Sequence, residues 1–193
     1  MQTNSLARRL IVTMKHAHEV LTFWFEEIES AQWWRKNLVF DAEIRRRFGA
    51  LHTTAASAGL PLWRRSIEGR LAEVIVLDQF SRNLFRGDPR AFASDTVAVR
   101  LATEAIALGL DDQLVPVKRA FLYMPFMHSE SAAHQRASVE LFARIPETGN
   151  LQSAQRHFDV INQFGRFPHR NKILQRPSSE QEEAFLRQPG SGF

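Results

Sequence analysis

Two segments of the chain repeat a polar pattern whose residue types could bind a ligand or move a proton. Residues 77–82 (LDQFSR) match residues 161–166 (INQFGR), with Gln, Phe and Arg identical and the other three pairs chemically close. The acid or amide of each copy is four residues before the arginine, so in a helix the two side chains lie on one face. The repeat therefore predicts two pseudo-equivalent polar helix ends.

Asp78 needs a partner because it falls on the apolar stripe of its predicted helix, in line with Leu71 and Ile75. A buried carboxylate must be paired or hydrogen-bonded. Arg82 is the local candidate, and Arg166 in the second copy is the distant one. The commoner outcome is a structural ion pair that locks helix ends together and implies no activity. The alternative is a polar pocket between the two helix ends.

Arginine clusters follow both copies of the pattern, within residues 82–90 and 164–176. Arginine forks suit carboxylate and phosphate groups, so converging clusters would form an anion-binding site. Otherwise the clusters are solvated basic loops. The candidate ligand-binding residues in or near these motifs are Arg82, Asn83, Arg86, Tyr123, Gln163, Arg166, Arg170 and Asn171.

A second polar group follows Pro125, where Tyr123, His128 and Glu130 occur within eight residues. A broken helix end that presents an imidazole and a carboxylate could supply a general acid and base. More often such a segment is a helix end with its cap. With the repeat and the loop after it included, the candidate catalytic residues are Asp78, His128, Glu130 and His169.

Composition excludes several classes of site. The chain has no cysteine, which rules out disulfides, thiolate metal sites and a cysteine nucleophile. It has no metal-ligand spacing on one helix face and no glycine-rich phosphate loop, so we expect neither a metal nor a cofactor. The net charge of +4 is too small to predict RNA binding, which is the weakest of the functional hypotheses.

No stretch approaches the roughly 18 apolar residues of a membrane span. The apolar run at residues 10–12 is too short for a signal peptide, so we expect a cytoplasmic protein without a membrane partner. Residues 1–13 precede a second methionine, Met14. We expect them to be a disordered extension, or to lie before the true start of translation. Residues 14–193 are long enough for a single helical domain.

The hydrophobic pattern is helical nearly throughout, which predicts an all-α fold of about eight helices joined by short loops. Asp41 is the expected N-cap of the second helix, and Pro125 is expected to kink or end the fifth. Ser179 and Glu182 have the spacing of a capping box. Short loops between helices favour stacked antiparallel hairpins.

Four ordered motifs resemble the bacterial family called domain of unknown function 924, over about residues 19–187. They are residues 20–25 (VLTFWF), 77–83 (LDQFSRN), 121–130 (FLYMPFMHSE) and 163–171 (QFGRFPHRN). The resemblance implies a tetratricopeptide-like helical fold, no established activity, and a functional surface made by the motif residues. The chain departs from it at Gln175, where the resemblance leads us to expect a glycine that could form a tight turn.

Two functional hypotheses from different classes follow. In the first, the repeated helix ends form a small-molecule site for an anionic ligand, with or without enzymatic activity. In the second, the helical array binds a protein or peptide in a groove, and the repeated residues are buried ion pairs. The sequence leaves open which hypothesis holds and whether the protein is an enzyme.

Overall fold

A computed structural model describes residues 15–192. Within this range the chain forms eight helices and no strand, which confirms the all-α prediction. The helices are α1 (15–27), α2 (Leu38–Ala58), α3 (67–84), α4 (Asp95–Ala107), α5 (Pro116–His128), α6 (Ala132–Ala143), α7 (Leu151–Phe164) and α8 (Glu180–Leu186). The hypothesis about residues 1–13 concerns a part of the chain outside the described residues.

Helix α3 runs through the centre of the molecule. Residues 71–77 are apolar except for Glu73, which pairs with Arg64, as expected for a helix enclosed by others, and packing against α2, α4 and α5 buries this segment. A π-helical turn, Val76–Phe80, interrupts the α-helical hydrogen bonding in the middle of α3. A second π-helical turn, Phe23–Glu27, ends α1. Single π-helical turns occur frequently at functional sites.

The start of α2 corrects one prediction. Asn37, rather than Asp41, is the N-cap, and its side chain accepts hydrogen bonds from the backbone N–H groups of Val39 and Phe40. Asp41 lies in the first turn of the helix, where its carboxylate accepts hydrogen bonds from residues more than forty positions away. The helix therefore begins one turn earlier than capping preferences at Asp41 predict.

Helix α5 continues through Pro125 to His128, so of the two outcomes predicted for this proline, an end of the helix does not occur. Proline removes one backbone hydrogen bond, but the last turn of α5 is buried and gains others. Gln135 of α6 donates from Nε2 to the carbonyl oxygens of Met127 and Ser129, each at 2.7 Å. Tertiary contacts thus hold His128 at the end of an ordered helix.

Local residue types set the end of α7 and the start of α8. Gly165 ends α7 in a left-handed conformation, with φ of 70°. The capping box of Ser179 and Glu182 at the start of α8 is present as predicted. Helix α8 packs on the turn Pro168–Arg170. Among residues 15–192, none of the helices has the length and apolar character that a membrane crossing requires.

Candidate functional site

A buried acid–base pair lies where α3 passes the end of α5. Asp78 sits in the π-helical turn of α3, and its side chain is fully buried. The Nδ1 atom of His128, the last residue of α5, is 2.9 Å from each carboxylate oxygen of Asp78. Because a carboxylate only accepts hydrogen bonds, Nδ1 carries the hydrogen. The other ring nitrogen, Nε2, is then the one that can accept a proton.

Two arginines meet at Asp95, in the first turn of α4. Arg82 donates to both carboxylate oxygens of Asp95, at 3.0 and 3.1 Å, and its Nη1 also lies 3.2 Å from Oδ1 of Asp78. Arg170 donates from Nη1 to Asp95 at 3.2 Å and from Nη2 to the carbonyl oxygen of His128 at 2.8 Å. These contacts join α3, α4, α5 and the turn Pro168–Arg170 in one charged network.

Arg170 is held between two aromatic rings. Its Cζ lies 4.4 Å from the ring centroid of Phe92 and 4.7 Å from that of Phe167, so both rings can make cation–π contacts. Its Nε is buried and has no hydrogen-bond partner among the described residues. Burial, followed by the charge of Arg82, lowers the pKa of Arg170 to about 10, and the side chain stays protonated at neutral pH.

In the acid–base pair, the Asp78 carboxylate is ionised and the His128 imidazole is neutral. Burial alone would raise the pKa of Asp78, but the charge of Arg82 and the hydrogen bonds from His128 and Gln79 outweigh it and hold the pKa well below its usual range. Burial lowers the pKa of His128, although Asp78 opposes the effect. A neutral imidazole held by an ionised carboxylate is the arrangement that general-base catalysis uses.

A pocket of about 330 Å³ opens beside this network. That volume is at the lower end of the range for small-molecule sites, which is roughly 300 to 1,000 Å³. Apolar contacts come mainly from Phe92, Val99 and Leu174. The polar side chains that line the pocket are Asp95, Thr96, His128, Ser129, Glu130, His134 and Arg170. The His128 side chain is 16% exposed, which leaves it accessible to a ligand in the pocket.

A second polar pair faces the same pocket. The Ser129 hydroxyl oxygen is 2.8 Å from Nδ1 of His134, and it also accepts a hydrogen bond from the backbone N–H of Ser131 at 3.2 Å. Ser129 follows directly after α5, and His134 is in the first turn of α6. The short loop between the two helices therefore fixes the spacing of this pair.

The segment after α7, residues 167–176, forms one wall of the pocket and is bound by Glu130. The Glu130 carboxylate accepts hydrogen bonds from the Phe167 backbone N–H at 2.8 Å and from Arg176 at 2.7 and 2.9 Å. Gln175 adopts a left-handed conformation, with φ of 53°. The chain therefore makes the backbone turn for which we expected a glycine, using a residue type that rarely adopts it.

The structure brings five of the predicted site residues together. They are Asp78, Arg82, His128, Glu130 and Arg170. Each comes from a segment that the repeat or the 121–130 motif singled out. Glu130 was a predicted catalytic group, but both of its oxygens already hold the wall segment. Its position thus favours a structural role.

Three other predicted residues have partners outside the pocket lining. Asn83 and Arg86 both donate to Asp41 of α2, at 2.8 to 2.9 Å. Tyr123 is fully buried and donates its hydroxyl hydrogen to Asp111 at 2.5 Å. The spacing in the sequence could not show these partners, because each lies at least twelve residues away along the chain.

The second repeat contributes fewer residues to the pocket than expected. Gln163 is exposed on α7. Asn171 is buried and accepts a hydrogen bond from Arg176 at 3.1 Å. The His169 ring lies 5.6 Å from that of Phe167, and burial together with the charge of Arg170 lowers its pKa to about 4.

Arg166 corrects the expectation that the two repeats converge. It donates to both carboxylate oxygens of Glu182 in α8, at 2.7 and 2.8 Å, and to the carbonyl oxygen of Pro177. Arg170 takes the place beside Arg82 that we had assigned to Arg166. The physical reason is the capping carboxylate of Glu182, which is almost fully buried and needs a cationic partner.

Sequence reasoning missed Asp95, Ser129 and His134. Asp95 belongs to none of the motifs, and Ser129 was noted only as part of one. His134 is five residues from Ser129, a distance that places the two on different faces of a continuous helix. The loop between α5 and α6 removes that restriction, and nothing in the spacing signals it.

No group of three or more acidic or histidine side chains within residues 15–192 is arranged to hold a metal ion. The charged residues of the pocket instead bind one another. Any ligand would therefore meet paired charges, the neutral imidazole of His128 and the hydroxyl groups of Ser129 and Thr96.

Comparison with known proteins places the chain in a family. A search of curated proteins finds no match. A solved structure of a protein of unknown function from Agrobacterium tumefaciens matches with a TM-score of 0.86 and 36% sequence identity, covering 91% of this chain and 98% of that one. The family model described as bacterial protein of unknown function, DUF924, matches residues 20–190. The chain therefore belongs to the domain of unknown function 924 family.

Proposed function

We propose that the pocket binds a small carboxylate-containing molecule and that His128 exchanges a proton with it or with an adjacent water. The observation that carries the proposal is the fully buried Asp78, whose oxygens lie 2.9 Å from His128 Nδ1 in the wall of an accessible pocket. Asp78 selects the tautomer that leaves Nε2 basic, and it stabilises the imidazolium that forms. The protein would then act as an acid–base enzyme on a small substrate.

The charge balance favours a ligand with a single negative charge. The charged network at the pocket contains three carboxylates and three guanidinium groups. Asp95, Glu130 and Arg170 line the pocket. Asp78, Arg82 and Arg176 contact lining residues from behind. The formal charges of the network cancel, and a neutral His128 adds none. A bound monoanion is neutralised if one imidazole takes up a proton, whereas a phosphate dianion brings more charge than one imidazole can balance. We therefore favour a carboxylate over a phosphate.

The interaction-module hypothesis expects the first repeat to be a buried ion pair, and the contact between Asp78 and Arg82 is compatible with it. However, the same two residues support the wall of a pocket that contains an accessible imidazole. If Asp78 and Arg82 only stabilised the fold of a peptide-binding protein, a pocket beside them would serve no purpose. No feature of the described residues points specifically to a peptide partner.

Calorimetry tests the proposal. Acetate, butyrate, benzoate and inorganic phosphate are titrated into the protein in buffers with different protonation enthalpies near neutral pH. We expect a carboxylate to bind with uptake of up to one proton, because a neighbouring anion raises the pKa of His128. At about 100 times its Kd, it should stabilise the fold by about 2.7 kcal/mol.

His128→Gln should abolish the proton uptake. His16→Gln is the matched control, because His16 is exposed on α1 and contacts Glu19. Uptake that persists unchanged in His128→Gln would contradict the role of His128. Failure of all three carboxylates to bind would contradict the ligand class.

A further inference from the structure

The pair formed by Ser129 and His134 is not used in the proposed function, yet both side chains line the pocket. The backbone N–H of Ser131 occupies one lone pair of the Ser129 hydroxyl. With the imidazole hydrogen of His134 on Nε2, the hydroxyl hydrogen is directed at Nδ1, 2.8 Å away. A hydroxyl in hydrogen-bond contact with an imidazole, open to a pocket, is the minimal arrangement of an activated serine nucleophile.

We propose that Ser129 is a nucleophile with His134 as its base, and that the pocket hydrolyses small carboxylic esters through an acyl-Ser129 intermediate. The inference rests on the proposed function, since the carboxylate expected to bind there is the acid product of such a reaction. The apolar side chains of Phe92, Val99 and Leu174 would contact the acyl group. The small volume restricts the substrate to short or single-ring acyl groups.

The first half of the reaction transfers the acyl group to the protein. The Ser129 oxygen attacks the carbonyl carbon of the ester, and its hydrogen passes to Nδ1 of His134. The bond from the carbonyl carbon to the alcohol oxygen then breaks, and the alcohol leaves with that proton. Arg170 lines the same pocket, and its positive charge favours the negative charge that develops on the carbonyl oxygen.

The second half releases the acid. A water molecule attacks the acyl carbon, and His128 accepts the proton of the water at Nε2. The bond from the acyl carbon to the Ser129 oxygen breaks, and His128 gives the proton it took from the water, relayed by a second water molecule, to that oxygen. The Ser129 hydroxyl then again faces a neutral His134. The net change is ester plus water to carboxylic acid plus alcohol. The two histidines thus have separate tasks: His134 serves the serine, and His128 serves the water.

The test uses p-nitrophenyl acetate with the full-length protein. We expect a burst of p-nitrophenol approaching one equivalent per protein, and intact mass spectrometry should show one added acetyl group. Peptide mapping should place that group on Ser129. Ser129→Ala should abolish both signals, whereas Ser57→Ala, which alters an exposed serine on α2, should leave them unchanged.

His134→Gln should slow acylation at least about a hundredfold, the usual minimum contribution of a general base. His128→Gln should instead leave acylation intact and let acetyl-Ser129 accumulate. Urea unfolding of each variant establishes that it is folded before its rate is compared. Acetylation at a different residue, or acylation of Ser129 at the same rate in His134→Gln, would overturn the inference.

The two proposals fail in different ways. If benzoate binds with proton uptake through His128 but Ser129 is never acylated, the nucleophile inference is wrong and the proposed function stands. If Ser129 is acylated through His134 but no carboxylate binds, the ligand class of the proposed function is wrong while the nucleophile is supported.

Discussion

Three histidine rings lie near one another around Phe167 and the end of α5. The rings of His128 and His157 are 6.4 Å apart, the ring of His157 is 5.5 Å from that of Phe167, and His169 contacts the same phenylalanine. Burial, with the nearby charge of His128, lowers the pKa of His157 to about 3. The interior around α7 is therefore built for neutral imidazoles.

This environment makes stability depend on pH. In the unfolded chain His157 takes up a proton as the pH falls through its ordinary pKa of about 6.5, whereas in the folded protein it does so only near pH 3. The unfolded state thus binds more protons in this window, and stability is lost as the pH falls. The loss from His157 alone should reach roughly 4 kcal/mol by pH 3.

Replacing His157 with glutamine should remove its share of that pH dependence. Between pH 7 and pH 4, His157→Gln should lose roughly 3 kcal/mol less stability than the wild type in urea unfolding. His16→Gln, on the exposed face of α1, should follow the wild type. Equal losses in wild type and His157→Gln would contradict the assignment of a buried neutral imidazole.

At the scale of elements, the approach of α3 to the turn before it depends on one glycine. A Cβ atom on Gly69 would lie 2.0 Å from the carbonyl oxygen of Trp63, a backbone atom that cannot move aside independently. Ser66 caps the helix by accepting a hydrogen bond from the Gly69 N–H. The first turn of α3 is therefore packed directly against the turn Trp63–Arg65.

Gly69→Ala should destabilise the protein by roughly 3 kcal/mol, because the added methyl group must displace backbone. Gly49→Ala is the matched control: Gly49 lies within α2, and its Cβ would meet nothing within 4 Å. We expect it to stabilise the protein by about 0.5 to 1 kcal/mol through helix propensity. Chemical denaturation measures both changes. Similar effects of the two substitutions would show that the approach at Gly69 is not tight.

At the scale of the whole molecule, the wall segment 167–176 connects the C-terminal helices to the central ones. Glu130 fastens this segment through Arg176 and the Phe167 backbone, and Arg170 reaches the carbonyl oxygen of His128. Because α8 packs on the turn Pro168–Arg170, the same contacts position α8 relative to α5. The integrity of the pocket is thus linked to the docking of the C-terminal part of the chain.

Glu130→Gln should weaken this connection by about 1.5 to 3 kcal/mol, the range for hydrogen bonds to a charged group. Native-state hydrogen exchange should show faster exchange in residues 167–176, with α3 unaffected. Glu147→Gln, which alters an exposed residue in the turn Pro146–Thr148, should change neither quantity. Unchanged protection of residues 167–176 in Glu130→Gln would indicate that other contacts hold the wall.

Local sequence patterns were sufficient to predict the helices and the polar character of the candidate site. Helical periodicity and turn residues predicted eight helices, and the capping box at Ser179 was predicted correctly. The apolar stripe around Asp78 correctly implied a paired carboxylate, and the four-residue spacing identified Arg82 as a partner. These properties depend on residues within one or two helical turns, so the sequence alone determined them.

Only the tertiary structure decided which distant groups meet. Asp41 accepts hydrogen bonds from Asn83 and Arg86 and does not cap α2. Arg166 pairs with Glu182. Arg170, and not Arg166, joins Arg82 at Asp95. The pairings of His128 with Asp78 and of Ser129 with His134 likewise depend on how α3, α5 and α6 pack. A buried charge must be paired, and its partner is whichever oppositely charged group the packing of the helices brings close. Spacing along the chain does not predict which group that is.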